Sequence, residues 1–183
     1  MNINTQPTLG NENLLLIPLQ ESDFEALYET ASDEKIWEQH PNKDRWKREE
    51  FQRFFEGAIK SGGAFKIIDK KTGAVAGSTR FYDYNPSDNS IMIGYTFYAT
   101  RYWGKGLNPV VKHLMLDYIF QYVDSVYFHV GASNVRSQIA MTRLGARKVR
   151  EEDVAYYGEA TRHNFVYQIT KEEYTEKQAT DKS

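Results

Sequence analysis

The run Arg101-Tyr102-Trp103-Gly104-Lys105-Gly106-Leu107-Asn108 constrains this chain more than any other stretch. Before it, Ser90 to Tyr98 alternates apolar and polar side chains and reads as a strand. After it, Val110 to Tyr122 carries an amphipathic helical pattern. A strand that feeds a Gly-rich turn opening a helix is a place to hold a phosphate. The N–H groups of the turn and first helical turn lack internal partners, and the helix dipole adds partial positive charge. Glycines let the chain turn sharply and let a phosphate approach the backbone. The P-loop pattern G-x-x-x-x-G-K-[ST] is not met, and G-x-G-x-x-G would need Gly where Pro109 stands. What fits is R-x-x-G-x-G. So short a pattern is equally satisfied by a plain turn between a strand and a helix, so the elements around it must decide.

At 183 residues the chain is long enough for one domain with a sizeable core. Its 23 basic and 25 acidic residues leave a formal charge of −2 with no Lys/Arg block, so neither a nucleic acid nor a membrane is an expected partner. Cysteine is absent. That excludes disulfides, thiolate metal sites and a Cys nucleophile, and it fits a reducing compartment. Met1 to Gly10 has no signal-peptide core and no apolar run approaches membrane-spanning length, so a cytoplasmic protein is expected. His40, His113, His129 and His163 show neither H-x-x-x-H nor H-x-x-E-H spacing, and no G-x-S-x-G elbow exists, so no metal is expected.

In chain order, residues 1–13 are expected as a flexible leader, 14–174 as the domain and 175–183 as a polar tail. Leu14 to Pro18 is a short strand. Ser22-Asp23-Phe24-Glu25 has the form of a capping box, so a helix should begin there. Trp37, Glu38, His40 and Pro41 follow in a loop or short turn, and Trp46 to Ile59 is a second helix ended by Ser61-Gly62-Gly63. Then the period changes to two. Ala64 to Ile68, Ala74 to Tyr84 and Ser90 to Tyr98 form an antiparallel meander. In the helix after the Gly run, Val110, Val111, Leu114, Met115, Tyr118, Ile119 and Tyr122 make the apolar stripe, with Lys112, His113, Asp117 and Gln121 facing away. Ser125 to Val130 is a strand parallel to Ser90–Tyr98, through a β-α-β crossover. Val135 to Leu144 is a helix with Asn134 as N-cap and Gly145 as its C-terminal stop. Lys148 to Tyr157 and Arg162 to Ile169 close as a hairpin around Gly158-Glu159.

This order of elements, with its R-x-x-G-x-G loop, resembles the GCN5-related N-acetyltransferases, whose coenzyme A pyrophosphate loop is written [QR]-x-x-G-x-[GA]. A second motif is similar too. Asn134-Val135-Arg136-Ser137 followed by Leu144-Gly145-Ala146 looks like the family's N-x-x-S and K-L-G-[FA]. Phe81, Gly94, Trp103-Gly104-Lys105-Gly106 and the late Gly158-Glu159 before Arg162 look like the branch that acetylates ribosomal-protein N-termini, the RimJ/RimL type. The resemblance spans roughly Leu14 to Tyr174. It implies an α+β (α/β) fold with a central, twisted, mixed and mostly antiparallel sheet of about seven strands flanked by helices. Three positions depart from the pattern: Pro109 where many relatives carry Thr or Ser, Arg143 for the Lys before Leu-Gly, and His163 where Asp is frequent.

The resemblance implies acetyl-CoA as cosubstrate and a primary amine as acceptor, a protein N-terminus or a small molecule. Its cofactor-binding positions fall on Phe97, Tyr98, Arg101, Gly104, Lys105, Gly106, Leu107, Asn108, Asn134, Ser137 and Arg143. Ser137 is the implied acid for the departing thiolate, or else a helix-start Ser that satisfies backbone groups. Asn134 binds the pantetheine amide, caps the helix, or does both. Glu159 is the implied base, or a solvated turn residue. Arg143 reaches the 3′-phosphate or lies in solvent. Trp37, Glu38, His40, Tyr82 and Tyr84 are candidates to line the acceptor side, or belong to core and rim. Three functions remain open: an N-acetyltransferase, a non-catalytic acyl-CoA sensor of the same fold, and an aromatic single-strand nucleic-acid binder, which the charge balance disfavours. Monomer and homodimer are both compatible with the sequence.

Overall fold

The computed structural model describes residues 2–155 and 158–183. In chain order the elements are β1 (Leu9–Gly10), β2 (Leu14–Pro18), α1 (Phe24–Ala31), α2 (Glu34–Trp37), α3 (Arg48–Ser61), β3 (Ala64–Asp69), β4 (Val75–Asn85), β5 (Ser90–Tyr98), α4 (Leu107–Ile119), β6 (Ser125–Gly131), α5 (Val135–Leu144), β7 (Arg147–Ala155), β8 (Thr161–Thr170) and α6 (Lys171–Asp181). The strands form one eight-stranded sheet in the order β1-β2-β3-β4-β5-β6-β8-β7. It is the expected mixed sheet with one strand more, the two-residue β1. Every neighbouring pair is antiparallel except β5 and β6. Those two are parallel because α4 carries the chain back to the starting end of the sheet.

Helices cover both faces, and each face has its core. Under α4 and α5 lie Phe81, Ile91, Val111, Met115, Val126 and Leu144. Under α1 to α3 lie Leu27, Trp37, Phe51, Phe54 and Phe97, with aromatic rings packed edge-on and tilted. Alternation along β6 explains the division: Val126, Phe128 and Val130 sit in the first core, and their neighbours point to the opposite side.

Several boundaries differ from the sequence reading, each for a local reason. The capping box before α1 uses Gln20 and Asp23, not Ser22: Gln20 N–H donates to the Asp23 carboxylate at 2.8 Å. That tightens Glu21–Asp23 into a 3₁₀ turn ahead of the helix. Trp37 ends a short helix, α2, rather than lying in a loop, and the helix expected from Trp46 is α3, beginning at Arg48 because Lys47 N–H closes a turn on Asp44 O at 2.9 Å. On α4 the buried face is Val111, Lys112, Met115, Leu116 and Ile119, so Lys112 faces inward rather than away. The tail is helical through α6, opened by a Thr170–Glu173 capping box and held by buried Tyr174.

The N-terminal segment is fastened to the domain. Thr5 Oγ1 donates to Gly62 O, Gln6 Nε2 to Ala64 O, and Tyr118 Oη to Asn4 O, at 2.7–2.8 Å. Tyr156 and Tyr157, at the end of the expected strand Lys148 to Tyr157, lie outside the described residues. Among the described residues no helix is long and apolar enough to cross a membrane.

Candidate active site

Two strands that begin as neighbours and then part create the site. β5 and β6 pair only at Ser90–Ser125, Ile91–Val126 and Met92–Tyr127. Past Met92 they separate, and a cavity of about 770 Å³ opens between them. Ile93 to Tyr98 form one wall and Phe128 to Gly131 the other. β5 also bulges there. Its register against β4 runs Ser78–Phe97 and then Arg80–Gly94, so Tyr95 and Thr96 together oppose Thr79. Tyr95 takes φ = 52°, the left-handed region, which a bulky residue occupies only where its surroundings enforce it. A bulge of this kind turns backbone groups out of the ladder and re-aims side chains.

The Gly run lies at one end of the cavity. Gly104 and Gly106 have φ of 71° and 74°, and a Cβ built on either meets no atom within 4 Å. They are needed for backbone conformation and leave the approach to the loop open. The N–H groups of Trp103 and Lys105 are used within the turn, at 3.0 and 3.4 Å. Those of Gly104 and Gly106 have no partner among the described residues. Gly106 is the N-cap of α4, so these groups and the start of the helix dipole face the same space. Pro109, third in α4, removes one donor from that set. Tyr98 Oη donates to Asn108 Oδ1 at 2.7 Å and ties the end of β5 to the start of α4. Burial raises the Tyr98 pKa, so the phenol stays a donor.

The far wall is the start of α5. Asn134 caps it by accepting from Ser137 N–H at 3.1 Å. The Ser137 hydroxyl lines the cavity and has no hydrogen-bond partner among the described residues. Arg136 stacks its guanidinium 3.9 Å from the Trp103 ring centroid, joining α5 to the Gly run across the cavity mouth. Arg143 also lines the cavity, as do exposed Val135 and Ile139, an apolar rim of 57% and 48% exposure.

The end nearest α1 to α3 differs in character. His40, Arg45, Tyr82 and Tyr95 line it. Arg45 makes a two-pronged ion pair with Glu159, at 2.7 and 2.8 Å, and both side chains are 3% exposed. Desolvation, then the guanidiniums of Arg45 and Arg136, hold His40 down to about 3, so its ring is neutral. Arg80 lies behind this wall, its guanidinium 3.7 Å from the Tyr95 centroid. Burial lowers its pKa to about 10, which still leaves it charged. No Asp or Glu is among the described residues lining the cavity.

Most of the residues named from the sequence meet here. Phe97, Tyr98, Gly104, Gly106, Leu107, Asn108, Asn134, Ser137 and Arg143 line the cavity, together with His40 and Tyr82. The others have different surroundings. Arg101 donates to Val75 O at 3.0 Å, Lys105 and Glu38 are exposed, and Tyr84 bonds Asn89 at 3.1 Å. Trp37 is fully buried, with its indole N–H on Ala31 O at 2.7 Å. Glu159 reaches the wall only through Arg45.

Sequence reasoning missed Lys112, Thr96, Tyr95 and His129. Lys112 was hidden because its neighbours on both sides form a good apolar stripe without it. In the structure it is 3% exposed and its ammonium donates to Thr96 Oγ1 at 2.7 Å. Burial pushes its pKa down to about 7. A polar residue at i+4 from Asn108, on the cavity side of the helix, was the available signal.

Comparison with known proteins fits this geometry. The family described as Acetyltransferase (GNAT) domain matches residues 13–147. Among solved structures, a GCN5-related N-acetyltransferase from Brucella melitensis is similar at TM-score 0.79 and 20% identity, covering 95% of this chain and 85% of that one. Mycobacterium smegmatis RimJ in complex with CoA-disulfide has TM-score 0.71 at 19% identity, over 91% and 88%. Spermidine N-acetyltransferase from Vibrio cholerae, in complex with CoA and spermine, has 0.67 at 18%, over 90% and 99%. No curated protein matches the chain by sequence.

Proposed function

This chain belongs to the GNAT acetyltransferase family, whose cosubstrate is acetyl-CoA, and from that premise we propose that it transfers the acetyl group to a primary amine, with a peptide or protein N-terminus as the leading acceptor. The parting of β5 and β6 at Met92, with the Gly run at one end of the resulting cavity, is the observation that carries the reading. The residues present fit the cosubstrate. Gly104, Gly106 and the first turn of α4 suit a pyrophosphate, and Arg143 supplies positive charge nearby. The unpaired edge of β5 from Ile93 to Tyr98 suits a pantetheine arm that pairs like an added strand.

When bound, acetyl-CoA supplies an acetyl thioester; the chain supplies position and charge. A backbone N–H of β5 near Phe97 or Tyr98 polarises the carbonyl, an effect worth ~10²–10³ in rate for a well-placed donor. Ser137 holds a free hydroxyl on the α5 side and serves as the acid for the leaving sulfur. Asn134 caps α5 and so fixes that hydroxyl. The acceptor enters on the side of His40, Arg45, Tyr82 and Tyr95. That wall carries one guanidinium, Arg45, whose charge is matched by Glu159, beside the neutral rings of His40, Tyr82 and Tyr95. The features shared with the RimJ/RimL type point to a peptide or protein N-terminus as the acceptor.

Two measurements test the reading. Acetyl-CoA should raise the melting temperature while ATP and NADH do not; binding at ~100 times Kd adds ~2.7 kcal/mol. CoA release should then be faster with a short serine-initiated peptide than with spermine. A shift with no turnover on either amine would leave an acyl-CoA-binding module. Faster turnover with spermine would reverse the acceptor assignment.

A further inference from the structure

The bulge in β5 decides what this wall of the cavity presents. Ile91 and Ile93 pack in the core beneath α4 and α5, and plain alternation would send Tyr95 and Phe97 there as well. Instead both pack beneath α1 to α3. The extra residue at Tyr95–Thr96 exchanges the two faces of the strand just past the point where β5 leaves β6. Tyr95 pays for this with its left-handed φ of 52°. A backbone held in that region needs surroundings that enforce it.

Two buried charged side chains supply those surroundings, one from each face of the sheet. Arg80, 4% exposed, lays its guanidinium on the Tyr95 ring, 3.7 Å from the centroid, and donates to Phe54 O at 3.3 Å. Lys112, 3% exposed, reaches the bulge from α4. Its ammonium donates to Thr96 Oγ1 at 2.7 Å and lies 3.5 Å from Thr79 Oγ1. Thr79 is the β4 residue that Tyr95 and Thr96 together oppose. The two threonine hydroxyls are themselves 2.9 Å apart. One ammonium therefore grips the bulged strand and its partner at the same point. Resting on the acetyl-CoA reading above, we propose that Lys112 is a positioning residue for cosubstrate binding: through Thr96 it clamps the bulge that keeps the β5 edge open to the pantetheine arm.

Packing alone does not account for this lysine. It sits on the buried face of α4 with Val111, Met115, Leu116 and Ile119. Neither it nor Arg80 makes an ion pair among the described residues. An unpaired buried charge lowers stability, and methionine would fill a similar volume without one. Burial already holds the Lys112 pKa down to about 7. What calls for an amine here is the pair of hydroxyls. Three N–H donors on a flexible stem can meet both Thr79 and Thr96 from the neighbouring helix. The clamp works from beneath. Thr96, half-buried, lines the cavity, and the ammonium behind it has no need to touch either substrate.

The test uses the whole chain and acetyl-CoA. Lys112→Met should bind acetyl-CoA about tenfold more weakly, as expected for the loss of one charge-assisted hydrogen bond, while its melting temperature does not fall. Weaker binding in a variant that is no less stable separates positioning from a general loss of structure. Thr96→Val should weaken binding to a similar extent. The double variant should bind no worse than either single one, because both act on one clamp. Independently of any ligand, the intraresidue HN–Hα NOE of Tyr95, strong where φ is positive, should be strong in the wild type and weaker in Lys112→Met. Three results would each overturn the proposal: acetyl-CoA affinity in Lys112→Met within about twofold of the wild type, an unchanged Tyr95 signal there, or additive losses in the double variant. A wild type that shows the Tyr95 signal yet binds no acetyl-CoA would sink the cosubstrate reading itself, and the role in binding with it; those three results leave that reading standing.

Discussion

Lys112 shows how much one side chain can be changed by where the fold puts it. Its pKa is about 7 because the ammonium is desolvated between α4 and the β4–β5 ladder, with Thr96 and Thr79 as its partners. The unfolded chain keeps an ordinary lysine near 10.4. Between those values the unfolded state binds more protons, so stability rises with pH through that window, and the penalty is fully present below it. Lys112→Met should therefore be more stable than the wild type near neutral pH, on the order of a few kcal/mol, with the gap closing as pH approaches 10. Urea unfolding at several pH values measures this; a gap independent of pH would mean that the lysine stays charged. The Arg45–Glu159 pair makes the opposite case. Both side chains are 3% exposed, so removing one partner leaves an uncompensated buried charge. Glu159→Gln should lose about 3 kcal/mol of stability while acetyl-CoA binding persists. A large fall in kcat with no fall in melting temperature would instead return Glu159 to the role of base.

Between β5 and α5, each element performs a task that its local sequence prepares. The Gly run ends β5 and opens α4 because Gly104 and Gly106 accept φ values near 70° that other residues resist. Asn134 starts α5 with an ordinary side-chain cap. Pro109 is the one residue here that works against the proposed task, since a proline in the first turn leaves the helix intact but removes an N–H. Pro109→Ser restores that donor. Acetyl-CoA should then bind more tightly, by up to about tenfold for one additional hydrogen bond to a charged group, as calorimetric titration would show. Unchanged affinity would place the pyrophosphate away from the third residue of α4. The bulge at Tyr95–Thr96 has no comparable mark. Neither residue is a glycine, and only the shifted β4 register displays it.

Across the whole molecule, the sheet is continuous from β1 to β7 except where β5 and β6 part, and the site occupies that break. The N-terminal segment adds to one edge. Ile3 and Leu9 pack on the core beneath α4, and Tyr118 bonds Asn4. Deleting residues 2–8 should lower the melting temperature by several degrees, about 1–2 kcal/mol for the lost apolar contact, with acetyl-CoA binding retained. An unchanged melting temperature would return that segment to the status of a loose leader. The periodicity of each strand, the Gly run between a strand and a helix, the Asn134 cap and the order of elements were legible in the sequence, because each depends on residues close together in the chain. They were enough for the fold, the family resemblance and the pocket's phosphate end. Four features needed the tertiary structure: Lys112 turned inward, Glu159 bound to Arg45 from 114 positions away, the bulge in β5, and His129 held by Glu152 with one nitrogen left free. Each depends on a partner on another element, and local pattern carries no information about that partner. The amino-acid order thus determined which elements form and in what sequence they pack, whereas desolvation and pairing across the folded sheet decided which of their polar groups are free to do chemistry.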